Sequence, residues 1–179
     1  NNELIWGDSH AASIAFGLRE QNSDFGQLTY AGCPPLIASK SMSKKCHKNN
    51  QNVLKYIKTN KPSTILLSAN WVQHQSPFLR DNLNETIKYL TSLGLEKIFM
   101  VGGLPQFQPS LPEKLISKNI ELKVNTLIST KLDSLRTLDQ KLLEITKQNN
   151  ILFIDILSNV CFKKKCRAAY MHRDILEPI

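Results

Sequence analysis

The sequence has no long hydrophobic run, and no apolar segment reaches the roughly 18 residues that a membrane-spanning helix requires. It also has no internal repeat, no low-complexity tract and no clear domain boundary. Apolar residues make up 41% of the chain and charged residues 21%, which is ordinary for a globular protein and unlike disordered or fibrous chains. A chain of 179 residues can bury one substantial core, so we predict a single domain over residues 1–179.

The beginning of the chain has no recognisable signal peptide or leader. Its first residues, Asn1 to Trp6, lead directly into a segment that is typical of a buried strand. We therefore expect the domain to have been excised from a longer protein.

Acidic residues are in short supply, since 15 Asp and Glu stand against 23 Lys and Arg, which gives a net charge of +8. Such a surface attracts polyanions. Lysines concentrate in residues 40–58 and again at 163–165, and neither stretch interleaves the aromatic residues on which single-stranded nucleic acids stack. We interpret the charge as a solvated basic face near an anionic cell envelope and expect no nucleic-acid partner.

The four cysteines form two close pairs, Cys33 with Cys46 and Cys161 with Cys166. An even number at short separations favours two local disulfides in an oxidising compartment, which would be periplasmic or extracellular. A zinc site is an alternative, although the twelve and four intervening residues do not match the usual C-x2-4-C spacing. Free buried cysteines are the other alternative.

Short β-branched runs alternate with longer segments of helical period, which predicts a parallel sheet covered by helices on both faces. The predicted strands are Leu4–Trp6, Gln27–Tyr30, Thr64–Ser68, Lys97–Val101 and Ile151–Ile154. The predicted helices are Ala11–Arg19, Asn50–Thr59, Leu79–Leu93 and Leu127–Gln148. The fold class is therefore α/β, a three-layer α/β/α sandwich with a five-stranded parallel sheet. The long connections Cys33–Lys48 and Gly102–Pro112 follow strands, and ligands of such sheets bind at the strands' carboxyl ends.

The strongest local signal is Gly7-Asp8-Ser9-His10, where the first strand ends and a helix begins. A serine there projects from a tight turn, and the N–H groups at the helix start point toward any oxyanion formed beside it. Gly7 would allow the turn, and the Asp8 carboxylate would cap the helix. Capping alone is an equally good explanation of these residues when they are taken by themselves.

Two further segments follow the next two predicted strands. Gly32 lies in the segment Tyr30–Pro35 after the second strand, and Asn70 lies in Ser68–Trp71 after the third. Because the carboxyl ends of parallel strands meet at one edge of the sheet, we expect both to share a pocket with Ser9. Trp71 is either a wall of that pocket or a core residue, and Trp6 is more simply core.

In this order, the blocks GDSH, GCPP and SAN resemble the SGNH (GDSL-like) hydrolase superfamily. More narrowly, they resemble the SGNH domain that is fused to family 3 membrane acyltransferases, which O-acetylate surface polysaccharides. The resemblance implies a flavodoxin-like fold with Ser9 as nucleophile and with the Gly32 N–H and the Asn70 amide as oxyanion-hole donors. The Gly102–Pro105 loop and the Cys161/Cys166 pair also resemble this branch, whereas Ser68 stands where many members have glycine.

The function that this resemblance implies is O-acyl transfer, usually of an acetyl group, through a serine acyl-enzyme to a polysaccharide such as lipopolysaccharide O-antigen. The acyl donor would be delivered by the membrane acyltransferase domain, which would tether this periplasmic domain to the bacterial inner membrane. We expect no cofactor and no metal, and a monomer when the domain is isolated. The alternatives are a carbohydrate O-acetyl esterase and a non-catalytic glycan-binding domain that has lost its base.

The family's catalytic Asp and His belong to a D-x-x-H block near the C-terminus, and this sequence has no such spacing. Residues 166–174 resemble the segment before that block, and Ile175–Ile179 resembles the end of a terminal helix. We therefore expect a loop carrying the acid and the base to be missing between Asp174 and Ile175. His172 with Asp174 nearby is the rival base, whereas His10, His47 and His74 are more simply surface or turn residues.

Overall fold

The structure is a computed structural model that describes residues 2–39, 42–95, 97–111, 113, 126–128, 130–167, 169–172 and 175–178. The strands in these ranges are β1 (Glu3–Gly7), β2 (Gly26–Thr29), β3 (Thr64–Ser68), β4 (Lys97–Val101), β5 (Thr126–Ile128), β6 (Leu152–Ile154), β7 (Cys161–Phe162), β8 (Lys165–Arg167), β9 (Ala169–His172) and β10 (Ile175–Pro178). The helices are α1 (Ser9–Gln21), α2 (Lys44–Asn60), α3 (Leu79–Ser92), α4 (Leu132–Gln148) and α5 (Ile156–Val160).

The centre of the fold is a five-stranded sheet in the order β2-β1-β3-β4-β6, and every neighbouring pair in it is parallel. All five residues of β3 are buried, as expected for a strand that has helices on both faces of its sheet. The predicted α/β fold with a five-stranded parallel sheet is confirmed, and β3 and β4 have the predicted bounds.

The sheet divides the core into two layers because successive strand residues point to opposite faces. Leu4 and Trp6 face α2, α3 and α4 in the larger cluster. Ile5 faces α1 in the smaller cluster, whose buried helical members are Ala11 and Ala15. The predicted leucine stripe of α4 is buried at Leu132, Leu135, Leu138, Leu142 and Ile145.

Gly7 is required by a close approach of backbone. A Cβ at this position would lie 1.6 Å from the carbonyl oxygen of Ser68 on β3 and 2.8 Å from the Cβ of Ala11 on α1. Its φ is not in the positive region, so the turn itself does not demand glycine, contrary to the reason predicted from the sequence. Glycine lets β1, β3 and the start of α1 come together.

Two segments predicted as helix are strands instead. Residues 127 and 128 belong to β5, which pairs antiparallel with β8, and α4 begins only at Leu132, after Lys131 in the left-handed region. Ile175–Pro178, predicted as the end of a terminal helix, forms β10 and pairs antiparallel with β9. In both places a partner strand satisfies the backbone groups that a helix would have satisfied internally.

Both predicted disulfides are confirmed. Cys33 and Cys46 join the loop after β2 to the first turn of α2, and Cys161 and Cys166 join β7 to β8. No cysteine is free, so the zinc and free-cysteine alternatives are wrong. None of the helices in the described ranges has the length and apolar character needed to cross a bilayer.

Replacement of Gly7 by alanine is expected to lower the free energy of unfolding by about 3 kcal/mol or more, because the new methyl group forces β1 and β3 apart. The matched control is Gly17→Ala in α1, where an added Cβ meets no atom within 4 Å. That control should stabilise the helix by up to about 1 kcal/mol. Urea unfolding followed by circular dichroism measures both, and equal effects at the two positions would contradict the close-approach explanation.

Candidate active site

Ser9 is exposed and is the first residue of α1, directly after β1. Asp8 caps this helix as predicted, since its Oδ1 accepts a hydrogen bond of 2.8 Å from the His10 N–H. Within the described part of the chain, the Ser9 hydroxyl has no hydrogen-bond partner. The serine therefore stands at the amino end of a 13-residue helix, where unsatisfied backbone N–H groups favour negative charge.

The carboxylate of Asp8 links two strand ends. It is 1% exposed, and its Oδ2 accepts a hydrogen bond of 2.9 Å from the Asn70 N–H and lies 3.0 Å from His74 Nε2. Burial by itself would raise the pKa of Asp8, but the hydrogen bonds from His74, Asn70 and His10 outweigh it and hold the pKa below the usual range of an aspartate. The predicted proximity of the segments after β1 and β3 is thus achieved through a charged, buried side chain.

His74 lies in the turn that follows Asn70, where its N–H approaches the Asn70 carbonyl oxygen at 3.3 Å. The interpretation of His74 as a turn residue is right, but it is not a surface residue, because its side chain is only 14% exposed and contacts Asp8. The sequence signal for this contact is weak. A histidine four residues after Asn70 reaches the carboxylate beside Asn70 only if the chain turns between them.

His10 and His47 differ in their surroundings. Burial lowers the pKa of His10, while Asp8 opposes this shift and His74 adds to it. His10 Nδ1 is buried and has no partner among the described residues. His47 is exposed on α2, with its Nε2 3.0 Å from Gln51 Nε2, and is a surface residue as expected.

The side-chain amide of Asn70 is held in one orientation by a residue that the sequence did not suggest. Gln106, in the loop after β4, donates from its Nε2 to Asn70 Oδ1 at 3.1 Å. Asn70 Nδ2 donates to Gln73 Oε1 at the longer distance of 3.4 Å. Because Oδ1 accepts from Gln106, the Asn70 amide has its oxygen on the side of Gln106 and its Nδ2 on the side of Gln73.

Gly32 occupies the left-handed region with φ of +67°, which a glycine adopts without strain. It is exposed, and the turn that contains it is closed by a 3.0 Å hydrogen bond from the Cys33 N–H to the Tyr30 carbonyl oxygen. Gly32 and His74 both line a cavity of about 170 Å³. Ser9 and Asn70 are not among the residues that line this cavity, so the pocket predicted for Ser9, Gly32 and Asn70 together stays a prediction.

The two tryptophans belong to the core. Trp71 is 1% exposed and donates from Nε1 to the Val101 carbonyl oxygen at 2.8 Å, so it is not a pocket wall. Trp6 is fully buried, as predicted, and donates to Asn50 Oδ1 at 3.2 Å.

The Gly102–Pro105 loop is anchored by a buried carboxylate on α4. Gly103 N–H donates to Asp139 Oδ1 at 2.8 Å. Burial raises the pKa of Asp139 to about 6, the Gly103 hydrogen bond opposes this shift, and Asp155 reinforces it. An aspartate between Leu138 and Leu142 in an apolar stripe was the available sequence signal for such a contact, and it was missed.

The catalytic base that was predicted on a missing loop is not among the described residues. His172 lies in β9, where its backbone pairs with Ile175, while Asp174 lies outside the described residues. Across the described ranges, no group of three or more His, Cys, Asp or Glu side chains is placed to hold a metal ion.

Replacement of Asp8 by asparagine is expected to lower the free energy of unfolding by about 2 kcal/mol at pH 7, because an amide cannot serve the Asn70 N–H and His74 as the carboxylate does. The folded-state pKa of Asp8 is lowered, so its contribution is present at neutral pH and is lost as the pH falls below about 4. The difference between wild type and variant should therefore shrink at pH 3. Urea unfolding at the two pH values measures it.

The exposed Asp24 supplies the control. Asp24→Asn should change stability by less than about 0.5 kcal/mol. A loss for Asp8→Asn that is the same at both pH values would refute the role of the charged carboxylate.

Comparison with known proteins identifies the family and the fold of the chain. Residues 2–176 match the family model described as the SGNH domain fused to AT3 domains. No curated protein sequence matches the chain significantly. Among solved structures, the chain is similar to the periplasmic domain of a lipopolysaccharide acetyltransferase of Salmonella ser. Paratyphi A, with a TM-score of 0.72 and 19% identity over 99% of this chain and 75% of that chain. That structural likeness shows the fold, and the family match over nearly the whole chain shows that this protein belongs to the SGNH domains of the kind fused to AT3 domains.

Proposed function

We propose that this chain is the periplasmic O-acyltransferase domain of a membrane-tethered protein, and that it transfers an acyl group to a bacterial surface polysaccharide such as lipopolysaccharide O-antigen. One observation carries the proposal: buried Asp8 joins the turn that presents Ser9 to the backbone of Asn70. The family membership and the fold of a lipopolysaccharide acetyltransferase domain support the reaction class.

The reaction would begin when Ser9 Oγ attacks the acyl carbonyl carbon, forms a bond to it and gives up its proton to a base. The negative charge that develops on the carbonyl oxygen would be stabilised by the N–H groups of Ser9 and Gly32 and by the Asn70 amide. Each such donor typically lowers the barrier by about 3 kcal/mol. Collapse of the tetrahedral intermediate leaves the acyl group on Ser9 and releases the donor group.

In the second half of the reaction, a polysaccharide hydroxyl would attack the acyl-enzyme and take the acyl group, and Ser9 would recover its proton. If water attacks instead, the product is that of an esterase. The serine, the oxyanion donors and the base are the same in both cases. Transfer is favoured here because the family's SGNH domain is fused to AT3 domains, which we propose deliver the acyl group from the membrane side.

The base is the part of the proposal that lies outside the described site. A serine hydroxyl is a weak nucleophile without one. We propose that an Asp-x-x-His loop between Asp174 and Ile175 supplies the acid and base in the native polypeptide, with His172 as the rival. His74 is then a positioning residue, because it contacts Asp8 and lines the cavity beside Gly32.

Ser9→Ala in the full-length protein is expected to abolish polysaccharide O-acetylation in cells, because no hydroxyl remains to carry the acyl group. The control is Ser13→Ala one turn later, where an exposed hydroxyl donates only to the His10 carbonyl oxygen and acetylation should persist. Acetyl ester content of the isolated polysaccharide, measured by NMR, reports the result. Unchanged acetylation in the Ser9 variant would refute the nucleophile assignment.

Asn70→Asp is expected to reduce kcat for an activated ester such as p-nitrophenyl acetate by about 100- to 1000-fold, because it removes the amide N–H donor and adds a negative charge beside the oxyanion. Asn52→Asp makes the same chemical change at an exposed position of α2 and should leave kcat within about twofold. Comparable losses in the two variants would show that the charge alone, and not the position, is responsible.

A second candidate function is favoured by one observation, the absence of a D-x-x-H block from the sequence. On this reading the domain binds glycans without catalysing a reaction. It requires that turnover of p-nitrophenyl acetate by the purified wild-type protein equal that of the Ser9→Ala variant, and this comparison separates the two candidates.

A further inference from the structure

The hairpin formed by β7 and β8 projects a compact basic surface. We call residues 161–167 the basic hairpin. Its two strands pair antiparallel, with Phe162 opposite Lys165, and the Cys161–Cys166 disulfide closes its base. Phe162 is 77% exposed, and Lys163 Nζ lies 5.6 Å from the centre of its ring.

Among the residues that the structure describes, no acidic side chain pairs with the charges of the basic hairpin. Its exposed cations are Lys163, Lys164, Lys165 and Arg167, and the segment 156–167 contains no acidic residue. Within the described part of the chain, none of the four forms an ion pair. Four unpaired cations around an exposed aromatic ring combine an electrostatic and an apolar means of attachment.

The basic hairpin is anchored to the body of the domain. Cys166 is fully buried and packs in a cluster with Leu132, Leu135 and Leu157. β8 also pairs with β5, so the hairpin is the edge of a three-stranded sheet. An open concavity of about 710 Å³, lined by residues of the segment 158–167, lies against it.

We propose that the basic hairpin binds the surface of an anionic phospholipid bilayer, with its four cations on lipid phosphates and the Phe162 ring at the boundary between headgroups and acyl chains. Each Lys or Arg near such a surface strengthens binding electrostatically. The Phe162 ring has no hydrogen-bonding group and is exposed to water, which fits the apolar side of a bilayer interface.

This attachment would orient the candidate active site. The cluster that anchors the basic hairpin also includes partly buried Val72, two residues after Asn70, and Phe107, next to Gln106. The hairpin therefore lies at the same end of the sheet as the Asn70 amide. Bilayer binding would bring the rim that carries Ser9 toward the membrane, although the binding itself does not depend on the proposed reaction.

The test is co-sedimentation of the 179-residue protein with vesicles of phosphatidylcholine alone and of phosphatidylcholine containing phosphatidylglycerol. The hairpin variant is Lys163→Gln, Lys164→Gln, Lys165→Gln. The matched control is Lys48→Gln, Lys55→Gln, Lys58→Gln on α2, which removes the same charge from exposed positions. A third variant, Phe162→Ser, tests the ring, and thermal melts verify that all variants are folded.

The proposal expects binding to the phosphatidylglycerol vesicles only, a loss of at least tenfold in the hairpin variant, and a loss of less than threefold in the control. Phe162→Ser should weaken binding at low salt and abolish what remains at high salt. Equal losses in the hairpin and control variants would overturn it, since binding would then follow net charge alone. It would also be overturned if the wild type bound soluble anionic dextran sulfate through the hairpin but did not bind vesicles.

Discussion

The Asp8 carboxylate is the interaction on which the candidate site depends. Its two oxygens accept from the start of α1, from the backbone after β3 and from His74, so one buried group fixes three parts of the rim. A buried carboxylate is costly unless it is paired and hydrogen-bonded, and here every contact is made by a residue of the site. The hydrogen bonds that link the turn of Ser9 to the backbone of Asn70 are therefore also the ones that make Asp8 tolerable in the interior.

A second constraint is the closeness of the strands beneath the site. Gly7 has no side chain because the Ser68 carbonyl and Ala11 occupy the space that one would need. The end of β1 can therefore pack directly against β3 and against the start of α1. Gly7 leaves room for the close approach, and Asp8 supplies the hydrogen-bond acceptors. Ser9 follows these two residues and is exposed at the start of α1.

The loop after β4 contacts the candidate site through Asn70. Asp139 holds Gly103, and a few residues later Gln106 fixes the amide of Asn70. Thr130 bridges back to Gln106, with its N–H and its hydroxyl both donating to the Gln106 carbonyl oxygen. The basic hairpin shares a hydrophobic cluster with Phe107 of the same loop, so the rim of the candidate site and the proposed membrane-binding surface are parts of one packed unit.

Much of this was predictable from the sequence. Runs such as Thr64–Ser68 and Lys97–Val101 are apolar and β-branched because parallel strands are covered on both faces, and their bounds were predicted correctly. The cap by Asp8 and the two disulfides were also predicted correctly, since each depends on residues close together in the chain. Residues 127–128 were predicted as helix from local periodicity, and residues 175–178 from their resemblance to the end of a terminal helix, because neither signal shows a strand partner.

Local spacing and side-chain chemistry were enough to indicate the five strands of the parallel sheet, the four longer helices, the serine at a helix start and the two short covalent links. Only the tertiary structure decided that His74 contacts Asp8, that Gln106 orients Asn70 and that Asp139 is buried against Gly103. Each of the last two contacts joins residues 36 positions apart, and His74 and Asp8 are separated by 66. Such contacts exist only after the sheet has brought its strand ends to one edge, and no local pattern specifies them.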